Sequence, residues 1–142
     1  MDWFDTTSST LDLLQSNVDE LEEMVKEIAE EMKSANPDDK SYISRLLTRA
    51  VSIYASVSEM VAKSQSLYRI EKDKAFIAAK STPVARGAKT GFPSDKEADK
   101  RATLQVEHLY TLKTRYDHLF LAIQEIVNSL KKILSINGGI VA

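Results

Sequence analysis

Cysteine is absent from this chain, and only four glycines and three prolines occur among its 142 residues. Without cysteine there is no disulfide framework, no thiolate zinc site and no cysteine nucleophile. Because chains turn most readily at glycine and proline, their scarcity predicts few, long elements. No strand-like alternation of apolar and polar residues and no glycine turn of the hairpin kind is recognisable. These absences predict an all-α fold, organised as a single helical domain over residues 1–142.

Motifs for catalysis and metal binding are also lacking. His108 and His118 are ten residues apart, which places them on different faces of one helix, and neither has a second histidine four residues away. Gly87–Thr90 has some likeness to a phosphate-binding loop, but the upstream glycine is missing and no predicted strand precedes it. We therefore expect a protein that is not an enzyme, with no metal site, no cofactor and no small-molecule substrate.

Long apolar runs are missing as well. No window approaches eighteen consecutive apolar residues, so no helix is expected to span a membrane. The first residues carry no basic region followed by an apolar run, which argues against a secretion signal. We expect a cytoplasmic protein without a membrane partner, located in the host cytoplasm if a phage encodes it.

Apolar residues recur at alternating spacings of three and four along three stretches of the chain. The central stretch has a double-width apolar face, which indicates contact with more than one neighbouring helix. The pattern predicts three long helices in an up-down-up bundle with coiled-coil-like packing. The predicted segments are an N-terminal arm (1–9), an acidic helix (10–35), a long central helix (39–80), a basic loop (81–93), a C-terminal helix (94–136) and a tail (137–142).

Local signals support these bounds. Ser94 followed by Glu97 is a capping box at the start of the C-terminal helix. Pro37 ends the acidic helix, because the residue before a proline disfavours helical geometry. Trp3 and Phe4 have two interpretations: they cap the end of the bundle, or they dock into another chain.

The apolar stripe of the C-terminal helix is predicted to join copies of the chain. A lone three-helix rod would leave parts of such narrow stripes uncovered, so a homo-oligomer is expected. The predicted oligomer interface consists of Leu109, Leu112, Tyr116, Leu119, Ile123, Ile126, Leu130 and Ile133.

Charge is distributed unevenly along the chain. Residues 1–40 hold twelve acids and three lysines, whereas residues 41–142 hold sixteen bases and nine acids. Cations interleaved with aromatic residues are typical of surfaces that bind single-stranded nucleic acid, where cations follow phosphates and rings stack bases. The alternative is a solvated helix end. The candidate nucleic-acid-binding residues are Lys63, Arg69, Lys72, Lys74, Lys80, Arg86 and Lys89, with the aromatic residues Tyr68 and Phe76.

Between Arg45 and Leu134 the chain contains Tyr68-Arg69-Ile70-Glu71-Lys72 with Lys74, a basic glycine-containing loop, and a long terminal helix with a heptad face. This layout resembles that of the recombination mediator proteins of tailed phages. It implies a small all-α protein that binds single-stranded DNA without sequence preference and assembles into rings. Such proteins help to load a RecA-like recombinase onto strands covered by a single-strand-binding protein.

By this resemblance, the C-terminal helix would carry the assembly, and the DNA contacts would come from Arg69, Lys72, Lys74 and Lys80. A second hypothesis of a different class is a structural or adaptor helical protein. It would serve as a virion assembly component or a protein–protein scaffold, and it would not bind nucleic acid.

Overall fold

The computed structural model describes the backbone of residues 3–137 and the side chains of residues 9–135. These residues are mostly helical, which confirms the all-α class, but the structure has four helices and a small hairpin. The elements in chain order are α1 (Trp3–Ser34), α2 (Lys40–Lys80), β1 (Val84–Arg86), β2 (Lys89–Gly91), α3 (Asp95–Gln105) and α4 (Glu107–Asn137). None of the described helices combines the length and apolar character that crossing a membrane requires.

Helix α1 begins at Trp3, so the predicted arm over residues 1–9 is wrong from that residue onward. Neither proline nor glycine interrupts the chain between Trp3 and Ser34, and the helix therefore continues through its polar first turns. The side chains of Trp3 and Phe4 lie outside the described residues, as does the tail beyond Asn137.

Helix α2 is the element on which the others pack, since it contacts α1, α3 and α4. This confirms the expectation that the double-width apolar face meets more than one neighbour. Asp39 caps the helix, because its side chain accepts a 3.1 Å hydrogen bond from the backbone N–H of Tyr42.

Tyr116 lies at the centre of the contact between α1 and α4 and is fully buried. Its hydroxyl donates a 2.5 Å hydrogen bond to the backbone carbonyl of Leu14. Burial raises the pKa of Tyr116 to about 12. Next to it, Arg115 reaches across to Glu22 and to Asp19, the latter at 2.7 Å. The contact between α1 and α4 thus has an apolar interior and ion pairs at its edge.

The predicted C-terminal helix over residues 94–136 is two helices, separated at Val106. Ser94 caps α3 as expected, accepting a 3.2 Å bond from the N–H of Glu97. Val106 leaves helical geometry at φ −105° and ψ 17°. The break coincides with a change in the buried face: α3 buries only Ala98 and Ala102, whereas large apolar residues line the buried face of α4. Both helices contact α2.

The predicted loop over residues 81–93 contains an antiparallel hairpin, so the expectation of no strands is wrong here. Its two strands pair Val84 with Gly91 and Arg86 with Lys89. Gly87 opens the two-residue turn with φ 63°, and no other described residue has a positive φ. That combination matches a type II′ turn, which requires glycine only at its first central position. Strands of three residues are too short to show alternation in the sequence.

Candidate nucleic-acid interface

The C-terminal part of α2, the hairpin and α3 lie together in the fold. We call residues 63–101, which include the hairpin and most of α3, the hairpin end. This segment holds ten lysines and arginines against five acids. It contains every predicted cation, and the fold brings Lys72, Lys80 and Arg86 against α3.

Five of the seven predicted cations are already paired with carboxylates. The ion pairs are Lys63–Glu59 (3.0 Å), Lys72–Asp99 (3.7 Å), Lys74–Glu71 (3.0 Å), Lys80–Asp95 (2.9 Å) and Arg86–Glu97 (2.8 Å). For these side chains the first partner is an acid of the same chain. These five side chains are therefore less available to bind phosphate than the sequence alone indicated.

Three of these pairs connect α3 to the rest of the hairpin end. Lys80 bonds both Asp95 and, at 3.1 Å, the backbone carbonyl of Pro93. Arg86 donates to both carboxylate oxygens of Glu97, at 2.8 and 2.9 Å. This hydrogen bonding with Arg86 lowers the pKa of Glu97. The basic residues of α2 and the hairpin therefore position α3 as well as contributing charge.

The remaining predicted cations, Arg69 and Lys89, are exposed and form no ion pair among the residues that the structure describes. Three further cations of the same kind were missed by sequence reasoning because they lie just beyond the basic stretch, on α3. Lys96, Lys100 and Arg101 are likewise exposed and form no ion pair in the described part of the chain, and the charge of Arg101 helps to lower the pKa of Glu97.

The acids of the hairpin end are almost all used by the pairs above. Asp73 is the one acid of residues 63–101 without a cation partner in the described structure. Five unpaired cations thus stand against one unpaired acid. Arg69 precedes Lys72 by about one helical turn, and Lys100 directly follows Asp99. The Lys72–Asp99 contact therefore brings α2 and α3 cations into the same neighbourhood.

The aromatic residues divide into accessible and packed ones. Phe76 is partly buried and packs against the core, which makes its predicted stacking role a weak one. Phe92, at the end of the hairpin, is 63% exposed. Tyr68 contacts Tyr110 of α4, with ring centroids 5.6 Å apart. Tyr110 is 53% exposed. It was missed because it lies outside the heptad stripe and far from the basic stretch in sequence.

The predicted oligomer interface occupies the interior of the chain. Seven of its eight residues are buried, and Ile133 is partly buried against the same core. The stripe faces α1 and α2, because those helices carry the complementary apolar faces. An assembly surface on this stripe is therefore wrong, and a contact between copies would need another face.

No catalytic or metal-binding constellation stands out in the described part of the chain. Within it, no three His, Asp or Glu residues are placed to hold a metal ion. His108 and His118 are both exposed.

Comparisons of the sequence and the structure with protein-family models, with curated proteins and with solved structures found no match.

Proposed function

We propose that the hairpin end binds single-stranded DNA without sequence preference, and that the protein is a non-enzymatic helical module of recombination-mediator type. The observation that carries this proposal is the excess of unpaired, exposed cations in residues 63–101, five against one acid. Cations spaced over a surface neutralise successive phosphates and release their counterions, which is the main source of nonspecific affinity for nucleic acid.

A single strand fits this region better than a duplex does. Phe92 and Tyr110 present exposed aromatic surface near the cations. Unpaired bases stack on such rings regardless of sequence, whereas the bases of a duplex are stacked on each other. A three-residue hairpin strand also lacks the length to read a groove in the way that a recognition helix does.

The proposal includes an up-down-up course for the three rods α1, α2 and α3–α4, and self-association into a homo-oligomer. The pair Arg49–Glu31 joins the start of α2 to the end of α1, and the ring contact between Tyr68 and Tyr110 joins late α2 to early α4. Both contacts support antiparallel neighbours. Self-association would multiply five cations into a large surface for a long strand. Light scattering tests it, and a mass of 15.9 kDa would contradict it.

Anisotropy of a labelled oligothymidine, titrated with protein at low and moderate salt, tests the DNA-binding proposal. We expect saturable binding that weakens steeply as salt rises. The triple variant Arg69→Ala, Lys100→Ala and Arg101→Ala should bind at least tenfold more weakly at low salt. Its salt slope should fall by roughly 2, since each lost phosphate contact on a single strand contributes about 0.7.

A matched control removes three exposed cations elsewhere, by Lys26→Ala, Lys131→Ala and Lys132→Ala. The net charge changes equally, so a general charge effect would weaken both triple variants alike. Equal losses in the two variants, or no binding by the natural chain even at low salt, would overturn the proposal.

One observation favours the adaptor hypothesis as a second candidate. A groove of about 550 Å³ runs between α1 and α4, and its floor includes Val25, Ala29, Leu119, Ala122 and Ile126. Apolar grooves with small side chains accept amphipathic helices of partner proteins. If the oligonucleotide titration shows no binding, Ala122→Glu becomes the useful variant, because it would block a helical partner identified by crosslinking.

A further inference from the structure

Two tyrosines and two lysines form a compact group on the surface between α2 and α4. We call Tyr68, Lys72, Tyr110 and Lys113 the tyrosine–lysine cluster. The rings of Tyr68 and Tyr110 are 5.6 Å apart between centroids and inclined by 56°. The ammonium of Lys72 lies 5.9 Å from the centre of the Tyr68 ring, and that of Lys113 lies 6.0 Å from the centre of the Tyr110 ring.

The lysines of the cluster are held in place by acids. Lys113 donates a 2.8 Å hydrogen bond to Asp117, and this bond raises the pKa of Lys113. Lys72 lies 3.7 Å from Asp99 of α3. Each ammonium therefore lies between its ring and an acid.

Tyr110 remains accessible in spite of these contacts, with 53% of its surface exposed. It does not belong to the buried stripe of α4, whose neighbouring members Leu109 and Leu112 point into the core. Packing alone would be satisfied by a smaller or more polar residue at this position. An accessible ring beside fixed cations is the arrangement on which planar groups with nearby negative charge bind.

The cluster discriminates between classes of ligand. A cationic ligand, such as a quaternary ammonium group, would be repelled by the two lysine charges beside the rings. A neutral planar group flanked by anions would instead gain both stacking and charge attraction. A nucleobase with its adjoining phosphates has this chemistry. The cluster also borders the unpaired cations, since Lys72 and Asp99 join it to the turn of Arg69 and to Lys100.

We propose that the tyrosine–lysine cluster is a stacking site for one unpaired nucleobase of the bound strand, with Tyr110 as the ring that the base covers. This inference rests on the proposed function and adds a site to it. The cations of the hairpin end hold the phosphates, and the cluster holds a base. Stacking on one aromatic side chain is worth about 1–3 kcal/mol, or roughly fivefold to a hundredfold in affinity.

The test compares two labelled strands of equal length and charge, an oligothymidine and a chain of abasic residues. The natural protein should prefer the oligothymidine. Tyr110→Ala should lower affinity for the oligothymidine by about tenfold and leave affinity for the abasic chain unchanged. Tyr110→Phe keeps the ring and should retain the preference. Leu104→Ala, at another exposed apolar position, should change neither affinity.

A second variant gives a spectroscopic signal that does not depend on affinity. Tyr110→Trp adds an indole to the one at Trp3, and the natural chain supplies the background from Trp3. The added indole fluorescence should fall when oligothymidine binds and should persist when the abasic chain binds.

The outcomes separate this site from DNA binding as a whole. The stacking site is refuted, while DNA binding stands, if two results occur together. Tyr110→Ala lowers the affinity for both strands equally or for neither, and the added indole fluorescence changes alike with both strands. If the natural protein binds neither strand, both the site and the proposed function fail.

Discussion

The two ends of the molecule are held together by different interactions. Where α1, α2 and α4 meet, large apolar side chains such as Leu14, Ile123 and Tyr116 are fully buried. At the hairpin end, α3 buries only Ala98 and Ala102, Leu67 and Ala75 of α2 join the core, and exposed ion pairs provide further connections. Buried apolar area stabilises a fold by about 25 cal/mol per Å², whereas an exposed ion pair contributes about 0–1 kcal/mol.

This contrast shows where each property of the molecule resides. The region where α1, α2 and α4 meet, which we call the apolar end, supplies most of the stability of the fold. The hairpin end can therefore hold unpaired charge and exposed rings without unfolding the protein. The effects of substitutions at the two ends should accordingly differ in size, and they should appear in different properties of the protein. Variants can be ordered by the expected change in the free energy of unfolding.

The largest effect is expected at Tyr116. Tyr116→Ala should lower the free energy of unfolding by about 3–5 kcal/mol, because it leaves a cavity between α1 and α4. Tyr116→Phe keeps the ring and loses only the bond to Leu14, which should cost about 1 kcal/mol. Urea denaturation followed by circular dichroism measures both. Similar values for the two variants would mean that the hydroxyl, and not the packing, stabilises this contact.

A smaller effect is expected where α3 meets α2. Ala102 is fully buried, so Ala102→Leu should overpack the contact and destabilise the protein by about 1–3 kcal/mol. Amide hydrogen exchange should accelerate in α3 and stay unchanged in α4. Thr103→Leu, on the exposed side of the same helix, should stay within about 0.5 kcal/mol of the natural chain. Faster exchange throughout α4 would show that the two ends are not separate.

In the hairpin turn, a substitution should change the stability through the backbone conformation alone. Gly87 has φ 63°, and a Cβ at this position would meet no atom within 4 Å. Gly87→Ala therefore adds no clash, and its cost of about 1 kcal/mol comes from the left-handed conformation. Thermal unfolding measures it, with Ala88→Gly as the control because Ala88 has no positive φ. An unchanged midpoint in Gly87→Ala would contradict the turn assignment.

The smallest effect on stability is expected from the exposed pair of Arg86 and Glu97, but it should be visible in a titration. Because Arg86 lowers the pKa of Glu97, the pair contributes at neutral pH, and this contribution is lost as pH falls through the lowered pKa. Arg86→Ala should return the pKa of Glu97 toward its ordinary value of 4.5. Carbon NMR of the carboxyl group follows this directly. A pKa that does not move would show that the pair is absent in solution.

Heptad spacing predicted the apolar end well. Most of the stripe of α1 and one stripe of α2 are buried, because a helix in water must cover such a face. Leu47, Tyr54 and Val61 of the second stripe of α2 are partly buried against the same core. The C-terminal stripe was located correctly but given the wrong partner. Periodicity shows which face is covered and does not show whether the covering helix belongs to the same chain.

The hairpin end was predictable only in composition. Lys80 and Asp95 are fifteen residues apart in the sequence, and only the hairpin between them brings the two side chains to 2.9 Å. The break at Val106 was not predicted, because no glycine or proline lies near it in the sequence. Tyr110 approaches Tyr68 only after both helices are docked.

The separation of charge also has a kinetic consequence. Residues 1–40 carry twelve acids and three lysines, and the hairpin end carries ten bases and five acids. A polyanion that diffuses toward the molecule is repelled by one region and attracted by the other before any contact forms. Such steering orients encounters and raises association rate constants, over distances set by a Debye length of about 8 Å at physiological ionic strength. Under the proposed function, the acidic helix would repel misdirected encounters, and the strand would reach the hairpin end first.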